Sequence, residues 1–108
     1  MKILFVENHS VFAQQVSTQF LSDCQVNVVP GLAAARTCLA ADIFDVVLVD
    51  YDLDDGMGVE LVRELRDGGN PVRIIGVSAR DEGDDSLRKA GVGAICSKME
   101  FDRIRELI

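Results

Sequence analysis

The sequence has no apolar run long enough to cross a bilayer, and it has comparatively few basic residues. A helical span needs about 18 consecutive apolar residues, and every apolar stretch of this 108-residue chain is interrupted sooner. Lysine and arginine number 11 against 18 acidic residues, so the net charge is −7. Direct binding to nucleic acid is disfavoured, because it requires a basic surface. An acidic domain instead suits a cation or a partner with a basic face.

The N-terminus lacks a secretory signal, and the cysteines lack a recognisable pattern. The first seven residues, Met-Lys-Ile-Leu-Phe-Val-Glu, are too short and too soon charged for a signal peptide. We therefore expect a cytoplasmic protein without membrane contact. Cys24, Cys38 and Cys96 are odd in number and widely spaced, which fits neither a disulfide framework nor a metal site. No repeat, low-complexity segment or linker divides the sequence, so one domain is expected.

The most informative stretch of the sequence runs from residue 45 to residue 58. It begins with the apolar run Val46–Val49, which is typical of a strand buried on both faces in the middle of a parallel sheet. The run ends at Asp50, and Asp52 follows two residues later. Ligands bind at the carboxyl edge of open α/β sheets, so this position favours a functional carboxylate. The alternative is that Asp50 only ends a strand or caps a helix, since aspartate is common in turns.

Short apolar runs alternate with helical patterns along the whole chain. The predicted strands are Lys2–Val6, Val26–Val29, Val46–Val49, Arg73–Val77 and Ala94–Cys96. The predicted helices are one capped by Asn8 or Ser10, then Leu32–Ala41, one opening at Gly58, Asp84–Ala90 and Phe101–Ile108. This alternation predicts an α/β fold of repeated βαβ units, with a mostly parallel sheet and helices on both faces.

Polar residues follow four of the five predicted strands, and in a parallel sheet those strand ends meet at one edge. They are Glu7 with Asn8, Asp50 with Asp52, Ser78, and Lys98. Carboxylates brought together in this way must protonate, separate or hold a cation. Oxygen ligands without a nearby cysteine or histidine ligand favour Mg²⁺ over zinc. We interpret His9 as an exposed residue at the start of a helix, and not as a ligand or base.

A phosphoryl group is the ligand that best suits this set of side chains. A metal and Lys98 would neutralise its oxygens, Ser78 would donate a hydrogen bond, and Asp50 would supply the attacking oxygen. Each residue alone also has an ordinary explanation. Lys98 would then be a solvated lysine, Ser78 a turn residue, and Glu7 the first polar residue after a strand.

Together these residues resemble the receiver domain of bacterial two-component response regulators. The resemblance rests on Ile-Leu-Phe-Val-Glu-Asn-His at residues 3–9, Val-Leu-Val-Asp at 47–50 with Gly58 eight residues later, Ser78-Ala79, and Ala90-Gly91 leading to Lys98. It covers nearly the whole chain and implies a five-stranded parallel sheet in the flavodoxin-like order 2-1-3-4-5. We expect residues 1–108 to form one receiver domain, complete apart from a short last helix.

The resemblance also implies a role for each residue at the strand ends. Asp50 would accept a phosphoryl group from a histidine kinase or phosphotransfer protein, and the chain would not be an enzyme. Glu7, Asn8, Asp50 and the backbone carbonyl of Asp52 would bind Mg²⁺, while Ser78 and Lys98 would contact the phosphoryl oxygens. Phosphorylation would repack the face made by the fourth helix, fifth strand and fifth helix, and so signal to an output domain or effector protein.

Several positions depart from the family pattern. Asn8 replaces the second acid and keeps a carbonyl oxygen but no charge, so Mg²⁺ affinity should fall. Our hypothesis is that the Asp52 carboxylate turns inward and partly compensates. Asp54 and Met99 replace two usual prolines, and Ile95 replaces the usual switch aromatic. Met99 puts the cis peptide bond expected after the lysine in doubt.

Two other functions stay open. A degenerate receiver would act as a docking or dimerisation module without phosphorylation. Asp50-Tyr51-Asp52 also resembles the nucleophile motif of haloacid-dehalogenase-type phosphatases, with Asp52 as general acid and base, although that motif normally follows the first strand. A homodimer face would draw on the last helix, where we favour core positions for Phe101 and Ile104 over exposed ones.

Overall fold

Five strands form one sheet in the computed structural model, which describes residues 1–79 and 83–108. The strands are β1 (Lys2–Val6), β2 (Gln25–Val29), β3 (Val46–Asp50), β4 (Arg73–Ser78) and β5 (Ala94–Ser97). The helices are α1 (Ser10–Phe20), α2 (Leu32–Ala41), α3 (Gly58–Asp67), α4 (Asp84–Ala90) and α5 (Ile104–Leu107). A 3-10 helix, Lys98–Arg103, joins β5 to α5, and a short hairpin pairs Asp52–Leu53 with Gly56–Met57.

The sheet has the strand order β2-β1-β3-β4-β5, and all neighbouring strands are parallel. The predicted flavodoxin-like order is therefore confirmed. β3 is the central strand, and all five of its residues are buried, as its uninterrupted apolar run predicted. The chain order reverses between β1 and β3, and open α/β sheets bind their ligands at this point.

Two apolar cores lie on opposite faces of the sheet, because alternate side chains of a strand point to opposite faces. On one face Leu4 of β1 and Val47 of β3 pack beneath α2, α3 and α4. On the other face Phe5 and Leu48, the next residue of each strand, pack beneath α1 and the C-terminal segment. Helices thus cover both faces, as predicted from the alternation of strands and helices.

The C-terminal segment differs from the predicted helix Phe101–Ile108. Only Ile104–Leu107 is α-helical, and Phe101 lies in the 3-10 helix that begins at Lys98. Lys98 and Phe101 both reach Phe12 of α1, on either side of a kink at Glu100, whose backbone angles are not helical. The buried Phe101 ring also stacks on Phe5, with the ring centroids 5.7 Å apart. The prediction of core positions for Phe101 and Ile104 is confirmed.

The start of α1 also differs from the prediction. His9 occupies the N-cap position without a side-chain capping bond, so neither Asn8 nor Ser10 is the cap. The Asn8 amide is instead drawn away from the helix end, because it donates a hydrogen bond to Asp54. The end of α4 follows the prediction, since Gly91 adopts the left-handed conformation there, with φ of 117°.

The cysteines form no disulfide in the described residues. Cys24, Cys38 and Cys96 all carry free thiols, and Cys96 is buried. Among the residues that the structure describes, no helix is long and apolar enough to span a membrane.

Candidate functional site

The carboxyl edge of the sheet brings together the polar residues that follow four strands. Glu7 comes directly after β1, Asp50 and Ser78 are the last residues of β3 and β4, and Lys98 follows β5. Along the chain these four residues are 20 to 91 positions apart, and the parallel sheet brings them to one edge. All of them except Lys98 are at least 95% buried.

The two carboxylates are neighbours because of the register between β1 and β3. Val6 pairs with Val49, so the next residues along each strand, Glu7 and Asp50, lie side by side. The Glu7 backbone N–H donates to the carbonyl of Val29, at 2.9 Å, which holds the residue after β1 in line with β2. The Glu7 side chain is fully buried, and Asp50 is almost so. Two carboxylates are therefore enclosed at the switch point of the sheet.

Lys98 places one positive charge against both carboxylates. Its Nζ lies 2.5 Å from Glu7 Oε1 and 3.2 Å from Asp50 Oδ2. The same Nζ lies 5.3 Å from the centre of the Phe12 ring, which adds a cation–π contact. The side chain of Lys98 is 15% exposed, so its charge acts in a poorly solvated space. The ammonium group offsets one of the two negative charges and leaves the other uncompensated.

Burial is the largest influence on the Glu7 carboxyl and raises its pKa to about 7. The hydrogen bond and the charge of Asp50 raise the pKa further, whereas Lys98 lowers it. Glu7 therefore changes charge near neutral pH. A cation between the carboxylates would favour the ionised form, because it stabilises the negative charge.

The oxygens at this edge fit a divalent cation. Glu7 Oε2 and Asn8 Oδ1 are buried and have no hydrogen-bond partner among the described residues. The Asn8 amide nitrogen donates to Asp54 Oδ1 at 3.1 Å, which leaves the amide oxygen as the free ligand atom. A buried acceptor without a partner costs about 1–3 kcal/mol, and a cation would remove that penalty. Carboxylate and amide oxygens are ligands that Mg²⁺ accepts.

The Asp52 side chain does not join these oxygens. Asp52 begins the short hairpin, where it pairs with Met57 and is exposed to solvent. The group of carboxylate and imidazole atoms that lie within 4.8 Å of one another contains Glu7, His9 and Asp50 instead. The hypothesis that the Asp52 carboxylate turns inward is therefore not supported by its position. The hairpin explains the difference, because backbone pairing with Met57 fixes the direction of the strand.

An open cavity of about 520 Å³ gives access to Asp50. Its lining includes the candidate residues Asp52, Ser78 and Lys98, and it is completed by His9, Tyr51, Ala79 and Gly83. Gly83 lies against the Tyr51 ring so closely that a Cβ at this position would be 2.6 Å from Tyr51 Cγ. The cavity therefore joins the phosphoacceptor candidate to the start of α4.

Two residues of this site were missed by the sequence analysis. His9 was interpreted as an exposed helix-start residue, and it is an exposed N-cap, but its Nδ1 also lies 3.9 Å from Glu7 Oε1. The adjacent triplet Glu7-Asn8-His9 was a signal for this proximity, since a short turn keeps all three at one strand end. Tyr51 carried no such signal, because its contact with Gly83 joins residues far apart in the sequence.

The departures from the receiver pattern are visible at four positions. Asp54, which replaces a usual proline, accepts a hydrogen bond from the amide of Asn8, which replaces the usual second acid. Ile95 is half-buried and packs against the core beneath α4. Met99 is 86% exposed, and no cis peptide bond is found in the described part of the chain.

The fold and the site define a flavodoxin-like α/β domain with an acidic pocket at the switch point. The chain matches the family described as the response regulator receiver domain over residues 3–106. It therefore belongs to that family, which is part of two-component regulatory systems. This assignment confirms the resemblance drawn from the strand-end residues. It leaves the resemblance of Asp50-Tyr51-Asp52 to haloacid-dehalogenase-type phosphatases without support.

Relatives and solved structures agree with this assignment. The chain is 30% identical over 95 residues to the transcriptional regulatory protein CutR of Streptomyces coelicolor, a match that covers 87% of this chain and 44% of CutR. The chain thus spans less than half the length of this curated relative. The Francisella response regulator 1452 receiver domain is 22% identical, with a TM-score of 0.86 over 95% of this chain and 88% of that one. The response regulator TrrA of Thermotoga maritima, solved in complex with Mg²⁺-BeF, is 18% identical, with a TM-score of 0.87 over 97% and 93% of the two chains.

Proposed function

We propose that this receiver accepts a phosphoryl group on Asp50 from the phosphohistidine of a histidine kinase or phosphotransfer protein. The observation that carries the proposal is the position of Asp50. Its carboxylate lies at an open cavity, beside the buried carboxylate of Glu7 and 3.2 Å from the ammonium of Lys98. Ser78 lines the same cavity from the end of β4. A nucleophile, a fixed cation and a hydroxyl thus face one space, which is the arrangement that phosphoryl transfer requires.

The proposed transfer forms one bond and breaks one bond. A carboxylate oxygen of Asp50 attacks phosphorus, and the bond from phosphorus to the donor imidazole nitrogen breaks, with its electron pair remaining on that nitrogen. The product is an acyl phosphate on Asp50. Lys98 then pairs with the phosphoryl oxygens, and the Ser78 hydroxyl donates a hydrogen bond to them.

Glu7, Asn8, Asp50 and the backbone carbonyl of Asp52 are the proposed holders of a divalent cation. Mg²⁺, when bound, supplies charge neutralisation between the carboxylates and the incoming phosphoryl group. The unpartnered oxygens of Glu7 and Asn8 support this assignment. Asn8 contributes no negative charge, so we expect weaker Mg²⁺ affinity than two acids at these positions would give.

Phosphorylation would act on the face made by α4, β5 and α5. Ser78 and Lys98 end β4 and follow β5, so new bonds from the phosphoryl group would pull on this part of the sheet. The half-buried Ile95 would report the change by repacking against α4, in place of an aromatic side chain. The output is then a shift in population between two packings of that face.

The partners follow from the proposed transfer and from the relatives. CutR is more than twice as long as the matched region, so we propose that an output domain or an effector protein receives the signal. We propose that residues 1–108 constitute the receiver domain itself, that the domain does not bind nucleic acid directly, and that it works in the cytoplasm beside its kinase. A homodimer through the α4-β5-α5 face is one form that the output would take.

A second function remains a candidate, namely a docking module that is not phosphorylated. The contacts of Lys98 favour it, because the ammonium group pairs with both carboxylates at the position where a phosphoryl group would bind. The loss of an acid at Asn8 and of an aromatic at Ile95 points the same way, since both changes weaken the metal site and the relay.

The intact mass of the protein after incubation with phosphoramidate or acetyl phosphate distinguishes these functions. We expect one phosphoryl adduct that forms with Mg²⁺, is suppressed by EDTA and is absent from Asp50→Asn. A folded protein that gains no adduct under any of these conditions would show that the phosphoacceptor proposal is wrong and leave the docking module. Repeated turnover of a phosphate monoester would contradict both.

A further inference from the structure

His9 lies at the cation site, although it is the only histidine in the chain and occupies a helix start. Its Nδ1 is 3.9 Å from Glu7 Oε1. One ligand atom from each of Glu7, His9 and Asp50 falls within 4.8 Å of the other two. Two oxygens and an imidazole nitrogen therefore converge at the carboxyl edge of β1 and β3.

The backbone explains why the imidazole is available. β1 ends at Val6, and α1 begins at Ser10, so only three residues make the turn between them. His9 is the N-cap of α1 but makes no side-chain capping bond, which leaves its ring uncommitted to the helix. The side chain is 68% exposed and has room to rotate over the sheet edge, whereas the Glu7 side chain beneath it is fully buried.

The unpartnered oxygens provide independent evidence for a ligand at this point. Glu7 Oε2 and Asn8 Oδ1 are buried acceptors without a hydrogen-bond partner in the described part of the structure. Lys98 contacts the other oxygen of Glu7 and one oxygen of Asp50, so it does not satisfy these two atoms. A group that accepts electron pairs from oxygen, such as a metal ion, is what they lack.

The distances allow one ion to bind all three side chains. Metal–nitrogen and metal–oxygen bonds of about 2.0–2.2 Å put two ligands of one ion roughly 3–4 Å apart. The separation of 3.9 Å between Glu7 and His9 falls inside that range. All three ligand atoms lie within 4.8 Å of one another, so small side-chain rotations, including that of the exposed imidazole, bring them to one ion.

We propose that His9 is a protein ligand of the cation and that the site prefers first-row transition-metal dications to Mg²⁺. The inference rests on the cation site of the proposed function and deepens it by naming the class of metal. An imidazole nitrogen binds Mg²⁺ poorly but suits Co²⁺, Ni²⁺ and Zn²⁺. His9 thereby supplies a nitrogen donor beside Asn8, which contributes a neutral amide oxygen in place of a carboxylate.

Calorimetric titration with Co²⁺ and with Mg²⁺ tests this preference directly. We expect wild-type protein to bind Co²⁺ at least about tenfold more tightly than Mg²⁺. In His9→Gln the ratio of Co²⁺ to Mg²⁺ affinity should fall by about tenfold or more, the size of effect that loss of support at a metal site produces. The matched control is the double variant His9→Gln with Gln15→His, which moves the imidazole to an exposed position further along α1 and should not restore the ratio.

NMR spectroscopy gives a second readout that does not depend on affinity. Because the chain has one histidine, Co²⁺ bound to its ring should produce a single set of strongly shifted imidazole resonances. These signals should be missing from His9→Gln and from the double variant. An unchanged affinity ratio in His9→Gln, or Co²⁺ binding without shifted imidazole signals, would overturn the inference.

Failure of this inference is distinguishable from failure of the proposed function. If His9 is not a ligand, Asp50 still gains a phosphoryl adduct in Mg²⁺ while the Co²⁺ titrations show no dependence on His9. If Asp50 is not a phosphoacceptor, no adduct forms, yet the Co²⁺ affinity and the shifted imidazole signals still identify His9 as a ligand.

Discussion

The two halves of the sheet differ in how their helices are attached. The half made by β1–β3 and α1–α3 carries both carboxylates, and α3 alone buries four residues, namely Gly58, Val59, Leu61 and Val62. The half made by β4, β5, α4 and α5 carries Ser78 and Lys98. Among the described residues, α4 has one buried residue, Leu87, and α5 has one, Ile104. Segments with few buried apolar side chains open at lower free energy, so the second half is better suited to move.

Polar contacts strengthen this contrast. The Asp55 carboxylate accepts bonds from the N–H groups of Leu32 and Ala33, at 2.8 and 3.0 Å, and so caps α2 from the loop before α3. Arg36 and Glu64 join α2 to α3 through two bonds of 3.0 and 2.6 Å. The acidic residues therefore belong to the half whose helices are joined by more polar and apolar contacts. Ser78 and Lys98 belong to the half in which the proposed switch would act.

The largest expected effect comes from adding a methyl group to a glycine in each half. A Cβ at Gly58 would lie 2.0 Å from the backbone oxygen of Asp50, so Gly58→Ala should lower the free energy of unfolding by about 3 kcal/mol or more. A Cβ at Gly76 would meet the terminal methyl groups of Leu87 and Ile95 at 2.8 and 2.9 Å, which can shift, so Gly76→Ala should lose about 1–3 kcal/mol. Urea denaturation measures both. An equal or larger loss at Gly76 would contradict the contrast between the halves.

Leu87→Ala should lower stability by about 2 kcal/mol, at the small end of the range for such cavities, because α4 can detach from the rest of the core. Hydrogen exchange should then accelerate in α4 while β1 and β3 keep their protection. Val62→Ala in α3 is the matched comparison, and its effect should spread through both strands. Uniform acceleration throughout the chain in Leu87→Ala would mean that α4 is as firmly attached as α3.

In the metal-free protein, Glu7→Gln should add about 2–3 kcal/mol more to the stability at pH 8 than it adds at pH 5. The pKa of Glu7 is raised from 4.5 to about 7 in the folded state, chiefly by burial, so the folded protein binds more protons between these values. Stability therefore falls as the pH rises through this range, and glutamine removes that dependence.

Thermal denaturation at a series of pH values measures the effect of Glu7→Gln. The exposed residue Asp67 provides the control, since Asp67→Asn should leave the slope between pH 6 and pH 8 as it is in wild-type protein. An identical slope in Glu7→Gln would show that Glu7 does not bind its proton more tightly in the folded state.

The smallest expected effect is that of Asp55→Asn, which should lower the melting temperature slightly at pH 7. The bonds from the backbone of Ala33 and Leu32 hold the pKa of Asp55 below its usual value of 3.8, so its stabilisation is present above that pH and is lost as the pH falls. Circular dichroism at pH 7 and at pH 3 measures the change, which should shrink at pH 3. If Asp55→Asn lowers the melting temperature more than Leu87→Ala does, the hydrogen bonds of Asp55 stabilise the fold more than the burial of Leu87 does.

The sheet and the strand-end residues were predictable because their signals are local. The apolar run Val46–Val49 identified the buried central strand, and the polar residues Glu7, Asp50, Ser78 and Lys98 each stand next to such a run. The last helix was predicted too long, since the apolar spacing from Phe101 to Ile108 does not show that the chain kinks at Glu100.

The sequence by itself determined the five strands and the residues at their carboxyl ends, because side-chain periodicity and strand ends are properties of neighbouring residues. The order of the strands came from the resemblance to the receiver family. Only the tertiary structure decided that Lys98 contacts both carboxylates, that His9 faces Glu7 and not solvent alone, and that Asp52 remains outside the group. These outcomes depend on the paths of loops and on side-chain directions across the sheet. Contacts of that kind are set by packing between distant segments, which no local pattern records.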